Sequence, residues 1–401
     1  MAGLVGFLCL GVAGLTWLVL RPDTYVASPS DLGHASARPD LAATTLEELQ
    51  EAVSRGDEVA AGRLGADERA RVLLAAVVSN ADHLGVSGFT TRYVDESGAV
   101  TPQGGWTAAV EMTWRFGTDD STPVREEVAV GFATAGGSAR ITRLGGGTQQ
   151  RTPLWLTGPM AVRAGGGVLT LGPDPRTVER YARLARRAVP VVGRVVTGWR
   201  GPLVIEVPRS EAELDAALGA AVGTYAGVAA VTASVDGSTA SDAPVHVFVN
   251  PEVMAGLDDQ GAQIVISHEV THAATRAATN IHRPIWLTEG FADYVALRDV
   301  RLPLSTTAGQ IIAQVRRSGP PDHLPDKSDF DSHSDSFGAE YEAAWLVCKV
   351  VAERAGERGL VSLYDRVGAG QDLDAVLREV LGVGTQGLTR LWQERLSHLA
   401  A

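Results

Sequence analysis

The sequence predicts an α+β fold, and three observations support this prediction. The chain of 401 residues begins with an uncharged apolar run. Two helical stretches and four strand-like segments follow this run, and the C-terminal part again has strands first and helices afterwards. Helices and strands that are segregated along the chain in this way are typical of α+β domains. The length favours two folded domains over one.

The apolar run at residues 3–20 contains eighteen residues and no charge. As a helix, at about 1.5 Å per residue, it would span about 27 Å, which is close to the thickness of a bilayer's hydrocarbon core. We therefore expect residues 1–20 to form a transmembrane signal anchor. A cleaved signal peptide and a buried core helix are the alternatives. Residues 21–40 are rich in Ser, Pro, Ala and Asp and predict a flexible linker.

The expected location is the cell membrane, crossed once, with the body of the protein extracytoplasmic. Arg21 follows the apolar run and, taken alone, weakly favours the opposite orientation. The membrane is thus one expected partner. Nucleic acid is excluded as a partner, because a net charge of −12 does not fit a surface that binds phosphates through clustered Lys and Arg. The two cysteines, Cys9 and Cys348, provide no disulfide framework.

Residues 41–152 are predicted to form the first domain. Two helices are expected near residues 44–57 and 66–80, because apolar side chains recur there with helical spacing. Four segments with period-two alternation then predict an antiparallel meander at residues 85–94, 106–116, 125–134 and 138–145. This order of elements resembles the NTF2-like cone fold. The segment contains no paired Asp and His that would suggest catalysis, so we expect a spacer or docking module.

Residues 153–401 are predicted to form the second domain. A glycine-rich hairpin, a long helix and further strand-like segments begin it, and beyond Asn250 almost every segment has a helical pattern. The strand at Val245–Val249 is a candidate edge strand for pairing with an extended peptide, with ordinary pairing inside the sheet as the alternative.

The segment HEVTHAATRAATNIHRPIWLTEGFADY, residues 268–294, carries the strongest chemical signal. His268 and His272 are four residues apart, so a helix places both imidazoles on one face, at a spacing that one Zn²⁺ can bridge. Glu269 lies one position round the helix, beside the metal and not on it. This is the position that a general base needs in order to take a proton from an activated water.

The third metal ligand has to come from elsewhere in the chain. Ala278 occupies the position at which a metzincin would have its third histidine, so that motif is incomplete. His282 is available, but it lies close to Pro284 in a predicted turn. Glu289 is better placed, because it is expected to open a second helix that Thr288 caps. Asp293 follows one turn later, where its carboxylate can accept the free N–H of a ligand histidine.

This stretch resembles the gluzincin metallopeptidases, the thermolysin-like and aminopeptidase-like enzymes of the peptidase MA group. The resemblance is tight over residues 268–294 and loose over about residues 154–401. It implies a thermolysin-like or gluzincin-like fold for the second domain, Zn²⁺ as cofactor and a peptide or protein as substrate. It also implies the roles of five residues: His268, His272 and Glu289 as zinc ligands, Glu269 as general base, and Asp293 as the residue that orients a ligand histidine.

One further role concerns the donor that stabilises the oxyanion formed when water attacks a peptide carbonyl. The aminopeptidase-like gluzincins place a tyrosine on a later helix, and this resemblance implies Tyr341. A packed aromatic ring is the alternative reading of that residue. His323 and His333, in a polar loop, are alternative donors, and each can equally be a solvated loop residue.

The function expected from the sequence is therefore that of a membrane-anchored zinc metallopeptidase. The alternative is a non-hydrolytic extracytoplasmic binding or assembly factor that keeps zinc as a structural staple. Glu269 separates the two hypotheses, because a purely structural zinc site has no use for a general base.

Overall fold

The computed structural model describes residues 36–117, 122–147, 150–199, 201–330 and 337–401. None of the helices in these ranges combines the length and the apolar character needed to cross a bilayer. The predicted fold class has to be corrected, because the described part of the chain is mixed α/β and includes no helix of this kind. The predicted anchor at residues 1–20 lies outside the described residues, as does most of the predicted linker at residues 21–40.

The N-terminal region consists of three helices followed by a four-stranded sheet. The helices are α1 (Pro39–Arg55), α2 (Glu58–Arg63) and α3 (Glu68–Leu84), and the strands are β1 (Ser87–Ser97), β2 (Gly105–Arg115), β3 (Val124–Ala135) and β4 (Ser138–Leu144). The strands pair antiparallel in the order β1-β2-β3-β4, as the alternation predicted. The likeness to the NTF2-like fold is not tested by these observations.

The second region is built around a mixed five-stranded sheet. Its strands are β5 (Ala161–Gly165), β6 (Val168–Gly172), β7 (Leu203–Glu206), β8 (Ala230–Ser234) and β9 (Val245–Val249), in the order β5-β6-β7-β9-β8. The pairs β6-β7 and β7-β9 are parallel. Parallel pairing requires crossover connections, and helices α4 (Pro175–Gly193) and α5 (Glu211–Ala217) lie within them.

The prediction of an α+β fold class is therefore wrong for this region, which is mixed α/β. The helices between the short strands return the chain in the same direction, so the pairs β6-β7 and β7-β9 are parallel. Of the two readings of Val245–Val249, ordinary pairing inside the sheet is confirmed and the edge strand is wrong. Val245–Val249 is an inner strand between β7 and β8, and the edges of the sheet are β5 and β8, Ala230–Ser234.

The other regular elements of the described residues beyond β9 are mainly α-helices. They are α6 (Pro251–Ala255), α7 (Asp259–Thr275), α8 (Ile285–Leu297), α9 (Leu304–Thr307), α10 (Gly309–Ser318), α11 (Phe337–Gly368), α12 (Leu373–Leu381) and α13 (Thr385–Ala400). Helix α11 is kinked at Gly356, whose φ of 74° lies in the left-handed region that glycine tolerates. Helices α7, α8 and α11 together carry the candidate site described below.

The five-stranded sheet is buried on both faces. One face contributes Val168, Leu203, Ile205, Val247 and Val249 to a core shared with the C-terminal helices. The other face contributes Leu169, Leu171, Val204 and Phe248 to a core shared with the N-terminal region. The predicted domain boundary between residues 152 and 153 stays a prediction, and this second core is continuous across it.

A buried polar pair lies on the face that meets the N-terminal region. His246 Nδ1 is 2.6 Å from Glu206 Oε1, and both side chains are almost fully buried. The ring of Phe116, just beyond β2, stacks on the His246 imidazole with a centroid distance of 5.6 Å. The two regions are thus joined by an aromatic contact as well as by the aliphatic core.

Candidate metal centre and active site

Helix α7 presents the two motif histidines to the interior. The Asp258 side chain accepts a hydrogen bond from Gly261 N at 2.7 Å and caps the start of this helix, which ends at Arg276 in the left-handed conformation. His268 and His272 are one turn apart and both buried. Their Nε2 atoms are 2.9 Å from each other, so the two lone pairs converge on one point.

Helix α8 brings the acidic partners to the same point. It begins at Ile285, directly after Pro284, and the predicted start at Thr288 is therefore wrong. The apolar residues of its first turn are drawn into the core, so the helix begins one turn earlier than the polar cap suggested. Glu289 Oε2 lies 3.2 Å from Nε2 of His268 and 3.2 Å from Nε2 of His272.

Asp293 lies one turn beyond Glu289 and contacts the His268 ring at Nδ1, the nitrogen that does not face Glu289. Its Oδ1 is 2.7 Å from His268 Nδ1. Since a carboxylate only accepts hydrogen bonds, Nδ1 carries the proton and Nε2 keeps its lone pair for a metal. The ring of His272 is not oriented by such a hydrogen bond, because its Nδ1 is buried and has no hydrogen-bond partner among the described residues.

The three converging atoms fit a zinc ion. With metal–ligand bonds of about 2.0–2.1 Å, the ligand atoms of a tetrahedral zinc site lie about 3.3 Å apart. The three separations here are 2.9, 3.2 and 3.2 Å. Two imidazoles and one carboxylate are also the donor set that borderline-soft Zn²⁺ accepts in catalytic sites. His268, His272 and Glu289 are therefore the residues that would hold it.

The electrostatics of the cluster keep Glu289 anionic. Burial alone would raise the pKa of the Glu289 carboxyl, but His272 and His268 hold this pKa well below its usual range. Burial would lower the pKa of His268, but the Asp293, Glu289 and Glu269 carboxylates raise it well above its usual value. The site is thus a concentrated negative charge around two imidazoles, which suits a divalent cation.

Glu269 lies next to the metal ligands at the wall of a cavity of about 380 Å³. His268, His272 and Glu289 line the same cavity. The Glu269 carboxylate is held by Thr232 of the edge strand β8, whose hydroxyl oxygen is 2.6 Å from Glu269 Oε2. The predicted base therefore faces the space in which a water and a substrate would meet.

Tyr341, at the start of α11, lines the cavity as well. The centroid of its ring lies 6.0 Å from that of His268, and Phe330 packs edge-on against it at 5.1 Å. Burial raises the pKa of the Tyr341 hydroxyl, and the nearby carboxylates Glu289, Glu269 and Asp293 raise it further. The phenol thus keeps its proton at neutral pH and can act as a hydrogen-bond donor.

The other predicted candidates are not brought to the metal ligands. His282 is exposed and does not line the cavity. His323 lies in a loop close to Asp322, Asp326 and Asp329, at 3.2 to 3.9 Å. His333 lies outside the described residues.

A larger cavity of about 880 Å³ adjoins the first one. Both cavities are lined by Ala277, Ile285 and Thr288, so they are neighbours at the α7–α8 connection. The larger cavity is also lined by residues of α13 and of the loop that contains His323.

Sequence reasoning missed Thr232. The residue lies 37 positions before Glu269. Threonine is common in strands, and no local spacing links the two residues. Only the packing of β8 against α7 in the folded chain brings them together.

Comparisons with known proteins give distant likenesses among solved structures alone. No protein-family model matches the chain, and no curated protein matches it. Among solved structures, the chain is similar to an M1 zinc metallopeptidase mutant from Deinococcus radiodurans, solved with a Tyr-Ser-Ala substrate, at 14% identity and a TM-score of 0.35. The match covers 77% of this chain, which spans 60% of that one. A likeness at this level carries no functional argument, and the proposal below depends on the geometry of the site.

Proposed function

We propose that the protein is a zinc-dependent peptidase. The observation that carries this proposal is the convergence of two imidazole nitrogens and one carboxylate oxygen within 3.2 Å of each other, beside a glutamate that faces the same cavity. Bound there, Zn²⁺ would lower the pKa of a water molecule and polarise the carbonyl of the scissile bond.

The remaining chemistry falls to side chains of this chain. Glu269 is placed to accept the proton of the attacking water and to pass it to the leaving amine. Tyr341 is placed to donate a hydrogen bond to the oxyanion. Asp293 keeps the His268 ring in the tautomer that a metal ligand requires.

The substrate we propose is an extended polypeptide segment. The edge strand β8 has one neighbour, β9, and Ala230, Val231 and Thr232 of this strand line the cavity beside the motif histidines. A peptide in extended conformation can add itself to such an edge through main-chain hydrogen bonds. The adjoining cavity gives room for further residues of the same peptide.

The competing hypothesis is a zinc-stapled binding factor that does not hydrolyse peptides. A structural zinc site is closed by four protein ligands, whereas three ligands with an open side are typical of catalysis. Here three ligand groups and a carboxylate base line an open cavity, and this arrangement favours the enzyme.

The decisive variant is Glu269→Gln in the full-length protein. We expect it to keep its zinc and to lose hydrolysis by about 10²- to 10⁴-fold, because the amide keeps the shape of the side chain but cannot take a proton. Zinc content measured by mass spectrometry, together with digestion of a peptide library, tests both parts of this expectation.

Glu252→Gln is the matched control, since it neutralises an exposed carboxylate that does not line the cavity. It should retain wild-type activity. Full activity of Glu269→Gln would contradict the proposed mechanism. A wild-type protein that binds zinc, cuts no peptide and unfolds when zinc is removed would establish the structural staple instead.

A further inference from the structure

The hydroxyl of Thr232 is within hydrogen-bonding distance of two atoms of the same glutamate. Its Oγ1 is 2.6 Å from Glu269 Oε2 and 3.0 Å from the Glu269 backbone carbonyl oxygen. The first distance is that of a charge-assisted hydrogen bond to a carboxylate. Thr232 is half-buried on β8, with its side chain on the face of the sheet that meets α7.

A hydroxyl in this position can restrain the glutamate side chain. A threonine hydroxyl has one proton to donate, and at 2.6 Å the Glu269 carboxylate oxygen Oε2 is its closer acceptor.

We propose that Thr232 is a positioning residue for the general base. It holds the Glu269 carboxylate in the orientation that faces the cavity beside His268 and His272. This inference rests on the proposed peptidase function, and it adds a role for the edge strand. Strand β8, which we propose pairs with the substrate, also carries the Thr232 hydroxyl that orients Glu269. Substrate pairing and the orientation of the base therefore depend on the same five-residue segment.

The test compares Thr232→Val with Thr232→Ser in the full-length, zinc-loaded protein. Valine keeps the branched shape and the backbone pairing with Val247 but removes the hydroxyl. We expect kcat to fall roughly 10- to 100-fold, as for the loss of one hydrogen bond to a charged group, with KM and zinc content unchanged. Serine keeps the hydroxyl and should restore most of kcat.

A second measurement does not depend on turnover. Crystal structures of the zinc-loaded wild type and Thr232→Val should differ at Glu269, with one side-chain conformer in the wild type and several in the valine variant. This readout decides the positioning role even if the wild type cuts no peptide, an outcome that would refute the proposed function alone.

Thr170→Val is the matched control. Thr170 is fully buried on β6, and its hydroxyl has no hydrogen-bond partner among the described residues. This change therefore removes a hydroxyl without removing a hydrogen bond to those residues. It should leave kcat unchanged. The inference is overturned if Thr232→Val keeps wild-type kcat and a single Glu269 conformer. It is also overturned if Thr232→Val loses zinc and thermal stability in proportion to activity and serine restores none of them.

Discussion

At the scale of single residues, Asp293 is expected to act on a bound metal through its contact with His268. Its carboxylate accepts the Nδ1 proton at 2.7 Å, which both orients the ring and makes Nε2 a better donor to a metal. We expect Asp293→Ala to weaken zinc binding by about 10- to 100-fold while all three ligands remain. Competition with a chromogenic chelator measures this affinity.

Asp299→Ala is the appropriate comparison for Asp293→Ala. Asp299 lies just beyond the end of the same helix, is half-exposed and pairs with Arg194 at the surface. Its loss should leave zinc affinity unchanged. Equal zinc affinity in Asp293→Ala and the wild type would refute the orienting role.

Glu126 on β3 is expected to make the stability of the folded protein depend on pH. Burial raises the pKa of its carboxyl to about 7, an effect that Arg151 partly offsets and Asp236 reinforces. The folded state therefore holds this proton more tightly than the unfolded state, in which the pKa is about 4.5. Stability contributed by the protonated form is present below about pH 4.5 and is lost as the pH rises through 7.

The neutral amide of Glu126→Gln does not titrate, so this variant should melt at a higher temperature than the wild type at pH 8. The difference should shrink towards pH 5. Melting curves across this range measure it, with Glu127→Gln, an exposed neighbour, as control. A difference that is constant with pH would show that Glu126 is not the titrating group.

Most of the predicted site residues are joined by helical periodicity, whereas Tyr341 was implied by the family resemblance alone. His268 and His272 are four residues apart with Glu269 directly after His268, and Glu289 and Asp293 are again four apart. Thr232 could not be predicted, because its role depends on a strand pairing that no local pattern encodes. The raised pKa of Glu126 likewise depends on its burial in the folded protein, which the local sequence does not show.

At the scale of elements, Gly290 sets how closely α8 approaches α11. A Cβ atom at this position would lie 2.2 Å from the Ala344 backbone oxygen and 3.0 Å from Cys348 Sγ. Backbone cannot move aside as a flexible side chain can, so the helices would have to separate. Since Glu289 is the preceding residue, the separation would also displace a metal ligand.

We expect Gly290→Ala to destabilise the protein by roughly 1–3 kcal/mol, the usual cost of overpacking, and to weaken zinc binding. Urea unfolding and a zinc titration measure the two effects. Gly309→Ala is the control, because a Cβ on Gly309, at the start of α10, meets nothing within 4 Å. A Gly290→Ala variant as stable as Gly309→Ala would show that α8 and α11 can separate freely.

Helices and the antiparallel meander were predictable from periodicity, because each element's own side chains show its buried face. The strand order in the second sheet could not be predicted from periodicity. Strands of four or five residues carry too little pattern to show whether their neighbours run parallel. The start of α8 was misplaced because Thr288 has the character of a cap, whereas the apolar residues from Ile285 onwards are stabilised by packing.

At the scale of the whole molecule, the two-sided burial of the five-stranded sheet couples the N-terminal region to the region that carries the site. Leu169, Leu171, Val204 and Phe248 would all be exposed if the regions separated. We therefore expect one cooperative thermal transition for the full-length chain, with calorimetric and van't Hoff enthalpies in agreement.

Phe116→Ala removes the ring stacked on His246 and should shift this transition to lower temperature as a unit. Scanning calorimetry of both proteins measures the outcome. Two resolved transitions in the wild type, or a shift of only part of the transition in Phe116→Ala, would show that the regions fold independently.

The sequence separations within the site have a consequence for the order in which it assembles. Glu289 follows His272 by 17 residues, and Asp293 follows His268 by 25, so the helical pair closes short loops. Thr232 precedes Glu269 by 37 residues and arrives only when the sheet forms. If the site binds zinc as proposed, a chain arrested between these stages would hold zinc before Thr232 orients Glu269. Zinc occupancy would then measure helix pairing, and turnover per bound zinc would measure the fraction of protein whose folding is complete.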